Sequence, residues 1–211
     1  MRCVPLLFAS LCVAIACTAP SYSAQLLYQT VRVDPTNGTV LGPGMDGPSE
    51  PAASTGTGYG TVLYDDVLHT LTLDVDFSGL ATDVGTGTTA SHIHAPTALP
   101  FQGTVGVATT TPTFAGFPNG VTSGSFQSVL DLTLASSWNP AYITNNGGSP
   151  ATAEVAFASA LATGRSYWNI HTQKFAGGEI RGFLQLVPEP ASCALVTLGT
   201  LCLAGLTRRR S

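Results

Sequence analysis

The residues best equipped for chemistry in this chain are its 4 histidines, His69, His92, His94 and His171. Two of them stand in Ser91-His92-Ile93-His94. Alternate residues of a strand share a face, so a strand here presents both imidazoles together and turns Ile93 the other way. Neutral imidazoles at such positions converge without backbone strain, which suits them to ligate a metal ion. His171, also on a polar strand face, would make three ligands. Glu179 would then serve as a fourth ligand or as a hydrogen-bonding partner behind the others. Zinc or copper is the metal that such a set would hold. The competing account is structural, with the same histidines forming a hydrogen-bonded network on the face of a sheet.

Other catalytic arrangements are missing from the sequence. It contains no Gly-x-Ser-x-Gly elbow and no Gly-Lys-Ser or Gly-Lys-Thr phosphate loop. Asp74 and Asp76 share a strand face, but neighbouring carboxylates on one wet surface are a solvated face rather than an acid–base pair. The chain is therefore expected not to be an enzyme.

Short alternating segments must position the histidines. Residues 71–77 read Leu-Thr-Leu-Asp-Val-Asp-Phe, a strict apolar–polar alternation that predicts a half-buried strand. Further strands are predicted at 27–33, 60–64, 90–94, 103–108, 127–134, 166–171 and 179–187, with Asp65-Asp66 as a hairpin turn and 42–60 as a loop. Asn139-Pro140 caps a short helix over 141–144, and an alanine-rich helix over 151–162 stops at Gly164. The expected fold is mainly β, an antiparallel β-sandwich with two short connecting helices.

The segment from Ser166 to Leu186 allows a sharper expectation. A hairpin closed around Gly177-Gly178, with His171 opposite Glu179, opposes Ile170 to Ile180, Asn169 to Arg181 and Trp168 to Gly182. Trp168, Ile170, Ile180, Leu184 and Leu186 then share the core face, with Gly182 leaving room for the indole. Tyr167, Asn169, His171, Glu179 and Arg181 share the other face. Glu179 and Arg181 would form either a cross-strand salt bridge or part of a binding patch.

Charge and cysteine usage divide the chain into three parts. Residues 1–23 carry Arg2, an apolar stretch and small residues before Ala24, the pattern of a cleavable signal peptide. Residues 188–211 open on Pro188-Glu189-Pro190, continue through an apolar run at 192–206, read as a hydrophobic tail helix, and end on Arg208-Arg209-Arg210. That run is shorter than the roughly 20 residues of a stable membrane-spanning helix, though it is enough for a weak anchor with a basic stop. All 5 cysteines lie in these two ends. The body, 24–187, thus has no disulfide available and needs a conventional core. With four bases against eleven acids its net charge is −7, which gives no electrostatic footprint for nucleic acid.

The C-terminal layout resembles the PEP-CTERM signal of Gram-negative bacteria. That resemblance implies export, a membrane-tethered precursor, cleavage by signal peptidase and exosortase, and a mature protein in the periplasm, at the surface or in an exopolysaccharide-rich biofilm matrix. In the body, Phe77-Ser78-Gly79-Leu80, His92-Ile93-His94, Tyr167 to Thr172 and Gly177-Gly178-Glu179-Ile180-Arg181-Gly182 resemble the CHRD domain, a β-sandwich-like module of exported proteins without an established activity. Pro48-Ser49-Glu50-Pro51 keeps only part of that family's early motif. The His-x-His strand also resembles the copper-site strand of copper–zinc superoxide dismutases. Those enzymes need a bridging histidine, an aspartate and a disulfide, and the residues here cannot assemble a binuclear site. A non-enzymatic surface or matrix protein is the leading expectation. It would use Tyr59, Tyr64 and Tyr142 as exposed aromatics and contact polysaccharide or surface proteins. The alternative is a zinc- or copper-binding protein with superoxide-related or other redox activity.

Overall fold

The computed structural model describes residues 25–47, 54–81 and 87–188. The expected signal peptide at 1–23, the expected tail helix at 192–206, the 5 cysteines, Glu189, Pro190, Arg208, Arg209 and Arg210 lie outside the described residues. Pro188 is the last residue described, and it is exposed.

Eight antiparallel strands form one sheet. In chain order they are β1 (Gln25–Val33), β2 (Val40–Pro43), β3 (Thr57–Asp65), β4 (Thr70–Ser78), β5 (Thr88–His94), β6 (Gly124–Asp131), β7 (Tyr167–Thr172) and β8 (Ile180–Leu186). Among the described residues two α-helices, α1 (Pro140–Asn145) and α2 (Pro150–Ala162), and a 3-10 turn at Ala135–Ser137 interrupt them. The spatial order is β5-β7-β8-β1-β3-β4-β6, with β2 added beside β1. This corrects the expected sandwich. Hydrogen bonding runs without a break from β5 to β6, so the layers are opposite arms of one curled sheet, a half-barrel. Strand twist accumulates across many strands and curls the sheet around its own apolar face.

That face follows from the sequence alternation. In β4, Leu71, Leu73, Val75 and Phe77 are buried, while Thr72, Asp74 and Asp76 face outward. Trp168, Phe114, Phe126, Phe117, Trp138 and Phe157 fill the interior, at roughly 25 cal/mol for each Å² of apolar surface removed from water. Ser149 caps α2 in a reciprocal capping box with Thr152, with Pro150 in the first turn. Asn139 accepts from Ala141 N at the start of α1. The face of α2 that is buried runs through Ala153, Phe157, Ala160 and Leu161, whereas Val155 is exposed.

Three segments differ from expectation. Residues 103–108 form no strand and share only an isolated bridge, His94 to Val107, because this stretch is part of a long covering loop. The loop expected at 42–60 contains the end of β2 and the start of β3. Tyr64 and Tyr142 are buried rather than exposed, leaving Tyr59 as the exposed member of the three.

The hairpin register is the one the sequence implies, with Ile170 opposite Ile180, Asn169 opposite Arg181 and Trp168 opposite Gly182. Two details change. Leu186 lies outside the core, 45% exposed, because β8 ends there. A side chain at Gly182 would not meet the indole; its Cβ would stand 2.6 Å from Thr30 Cβ and 2.7 Å from the Gly44 carbonyl. Gly60 is the glycine that clears Trp168, where a Cβ would come within 3.2 Å of the ring. The indole N–H of Trp168 donates to Ser91 Oγ at 2.8 Å, tying β7 to β5.

Candidate metal centre

Strand pairing brings the histidines together. His92 lies opposite Asn169, His94 opposite Tyr167, and His171 opposite Ala90, all between β5 and β7. Three imidazoles thus share one face of a two-strand unit, as the two-residue period requires. The 97–113 loop covers this face, so His92 and His94 are only 6% and 7% exposed, and His171 is half-buried.

Each imidazole is oriented by a main-chain carbonyl. His92 Nδ1 donates to Pro112 O at 3.3 Å, His94 Nδ1 to Val105 O at 2.7 Å, and His171 Nδ1 to Ala176 O at 2.8 Å. A carbonyl oxygen only accepts, so each Nδ1 carries the hydrogen and each neutral ring keeps its Nε2 unprotonated, with a lone pair to offer. The ring atoms that could ligate lie within 4.8 Å of one another. His92 Nε2 and His171 Nε2 face each other at 2.8 Å, and His94 Nε2 is buried without a hydrogen-bond partner. Asn169 Nδ2 lies 3.2 Å from His171 Nε2 and 3.2 Å from the Gly177 carbonyl, to which it donates.

Electrostatics keeps the rings neutral. Burial pushes His92 down to about 3, helped by His94 and His171, and pushes His94 down to about 4. Burial likewise lowers His171. Two lone pairs 2.8 Å apart repel unless a positive charge sits between them. Burial disfavours a proton as that charge, whereas a metal ion is ligated by neutral imidazoles. A carbonyl behind each ring is the usual device for fixing tautomer and aim in a metal site. Converging Nε2 atoms can therefore hold one cation.

The structure does not add Glu179 to this group. Its side chain is 1% exposed and accepts from Ser54 Oγ at 2.7 Å, Ala81 N at 2.8 Å and Thr172 Oγ1 at 2.7 Å. Glu179 precedes β8, so the strand alternation that predicted its direction does not reach it. Arg181 does not bridge to Glu179 either. Its guanidinium lies over the rings of Tyr167, at 5.3 Å, and Phe183, at 5.9 Å. Tyr167 in turn stacks on His94 with centroids 4.6 Å apart.

Glycines complete the frame. Gly178 has φ +113°, and a side chain there would collide with the Asn169 amide. The turn carrying the Ala176 and Gly177 carbonyls can therefore close tightly on His171 and Asn169. Sequence reasoning missed Val105, Pro112 and Ala176 because they act through main-chain oxygens, which leave no mark on residue type.

Comparison with curated proteins and with solved structures finds no match. A family model described as the CHRD domain matches residues 39–184, a span that holds all three histidines, Glu179, β7 and most of β8. The chain belongs to the CHRD domain family.

Proposed function

We propose that this is an exported, non-enzymatic CHRD-domain protein that binds one zinc or copper ion through the Nε2 atoms of His92, His94 and His171. The observation that carries the reading is the pair of Nε2 atoms at 2.8 Å with both Nδ1 hydrogens already committed to carbonyls. A binding role suits the site better than a catalytic one, since the carboxylate expected beside the histidines, Glu179, is engaged with Ser54, Ala81 and Thr172. Metal analysis of tag-free protein tests the reading. The expected result is one ion per chain retained through mild dialysis, falling to background in a folded His92→Ala/His94→Ala variant. Substoichiometric zinc and copper in the unmodified protein would contradict it.

The destination follows from the ends of the chain. We assign residues 1–23 to signal peptidase cleavage and 188–211 to PEP-CTERM sorting by exosortase, delivering the 24–187 domain to the cell surface or an exopolysaccharide matrix of a Gram-negative bacterium. The ordered layout of Pro188-Glu189-Pro190, a 192–206 apolar run and three terminal arginines supports this. Among the described residues no helix is long and apolar enough to cross a membrane. Mass spectrometry of the mature termini in cell fractions would show both cuts; an intact tail on the mature protein would rule out the sorting step.

A further inference from the structure

Charge and coordination number at the three histidines discriminate between metal ions. We infer that the site selects monovalent copper over divalent zinc and divalent copper, an inference that rests on the three-histidine reading given above. The ligand group contains only neutral imidazoles, with neither carboxylate nor thiolate among its members. A divalent ion would keep its full double charge there, and burying a charge without a counter-charge is costly. The charged side chain whose field reaches His94 is Arg181, which is itself cationic and raises the cost further. Asp46 lies within electrostatic reach of that guanidinium, and the Arg181 peptide pairs with Asp46 through two main-chain hydrogen bonds. The Asp46 carboxylate is not a member of the ligand set.

Coordination number points the same way. Zinc in protein sites takes four ligands, with water or substrate filling the fourth position where the protein gives three. At this site His94 Nε2 is sealed from solvent, and His92 and His94 are 6% and 7% exposed. From the His92 and His94 side a fourth, exogenous ligand has little access, and half-buried His171 is the one approach left to it. Monovalent copper is content with three nitrogens and leaves a single positive charge. The ring carbonyl bonds that hold the three Nε2 atoms in place, from Val105, Pro112 and Ala176, fix a tripod suited to that ion. Stacking of Tyr167 on His94, with the Arg181 guanidinium also over the Tyr167 ring, shields the tripod from water on that side.

Competition titration of the tag-free protein tests the assignment. Cu(I) is supplied under ascorbate and argon against a Cu(I)-specific chromophoric chelator; Cu(II) and Zn(II) are titrated separately against their own chelators. The expected result is one Cu(I) per chain, held more tightly than either divalent ion and not displaced by excess zinc. Arg181→Met should narrow that preference by about tenfold, the scale of removing one nearby unit charge. Zn(II) or Cu(II) binding as tightly as Cu(I) in the unmodified protein would overturn the selectivity while leaving the three-histidine site standing. Failure of all three ions to bind would remove the site itself. Because the comparison among ions is made on the unmodified protein, it decides the question even if the Arg181 variant does not fold.

Discussion

The side chains around the candidate centre divide into those that converge on a common point and those that tie the surrounding segments together. His92, His94 and His171 each spend Nδ1 on a carbonyl and aim Nε2 inward. Glu179, the residue most suggestive of a ligand in the sequence, belongs to the second set. Its buried carboxylate collects donors from three separate segments, at Ser54, Ala81 and Thr172. Glu179→Gln replaces one accepting oxygen by an amide donor facing other donors. It should cost about 1–3 kcal/mol of stability by urea unfolding, the usual penalty for leaving buried polar groups unpaired. Metal stoichiometry should stay at the unmodified level. A variant of unchanged stability that has lost its metal would return Glu179 to the ligand set.

At the scale of elements, the β7–β8 hairpin carries most of the design. Its register was legible because a two-residue period brings Trp168, Ile170, Ile180 and Leu184 to one buried face in only one alignment. The His-x-His strand was legible for the same reason, since alternation alone decides which residues share a face. Glu179 was not, because it sits in the turn before β8, where alternation no longer sets direction. The covering loop was misread as a strand at 103–108. Its apolar Val105 and Val107 alternate, yet the backbone there is spent on His94 and Tyr167 rather than on a ladder. The glycines give direct tests. Gly182→Ala places a Cβ 2.6 Å from Thr30 and should destabilise the fold by about 1–3 kcal/mol, the range for overpacking a tight site. Gly178→Ala strains a left-handed turn that positions the Ala176 carbonyl, so it should weaken metal binding more than it lowers the melting temperature. Equal metal affinity in Gly178→Ala and the unmodified protein would show that the turn does not aim His171.

Across the whole molecule, one curled sheet joins two separate polar centres. The first is the histidine tripod near the β5 edge. The second lies where the β3–β4 turn meets α2: His69 Nδ1 contacts Glu154 at 2.9 Å, and Tyr64 donates to the same carboxylate at 3.0 Å. The hydrogen bond to Glu154 raises the His69 pKa above its ordinary value, with the carboxylate charge adding to it. A raised histidine pKa stabilises the fold fully below the unfolded value of about 6.5, and this contribution is lost as pH rises through the folded value. His69 is 48% exposed on its side chain, so solvent screens the pair and the effect is small. His69 adopts φ 52°, which asparagine tolerates. The melting-temperature gap between the unmodified protein and His69→Asn should therefore shrink from about pH 5.5 to about pH 8. A gap that is flat or widens over this range would exclude the ion pair.

The two centres differ in kind. His69 gains a carboxylate that favours its protonated form, while His92, His94 and His171 are buried among carbonyls and disfavour theirs. The sandwich expected from many short strands became a single half-barrel because hydrogen bonding continues through β8, β1 and β3. That continuity places the β5–β7 pair at one edge, with a loop rather than another strand beyond it. The site is thereby buried yet close to solvent through His171. The most direct test of the three-histidine centre is a crystal structure of the tag-free, metal-loaded protein with data collected at the metal absorption edge. The account predicts one anomalous peak about 2.0–2.1 Å from the Nε2 atoms of His92, His94 and His171, with their Nδ1 atoms still on Pro112, Val105 and Ala176. A peak ligated by Glu179 or by Nδ1 atoms, or no peak at these residues, would contradict it.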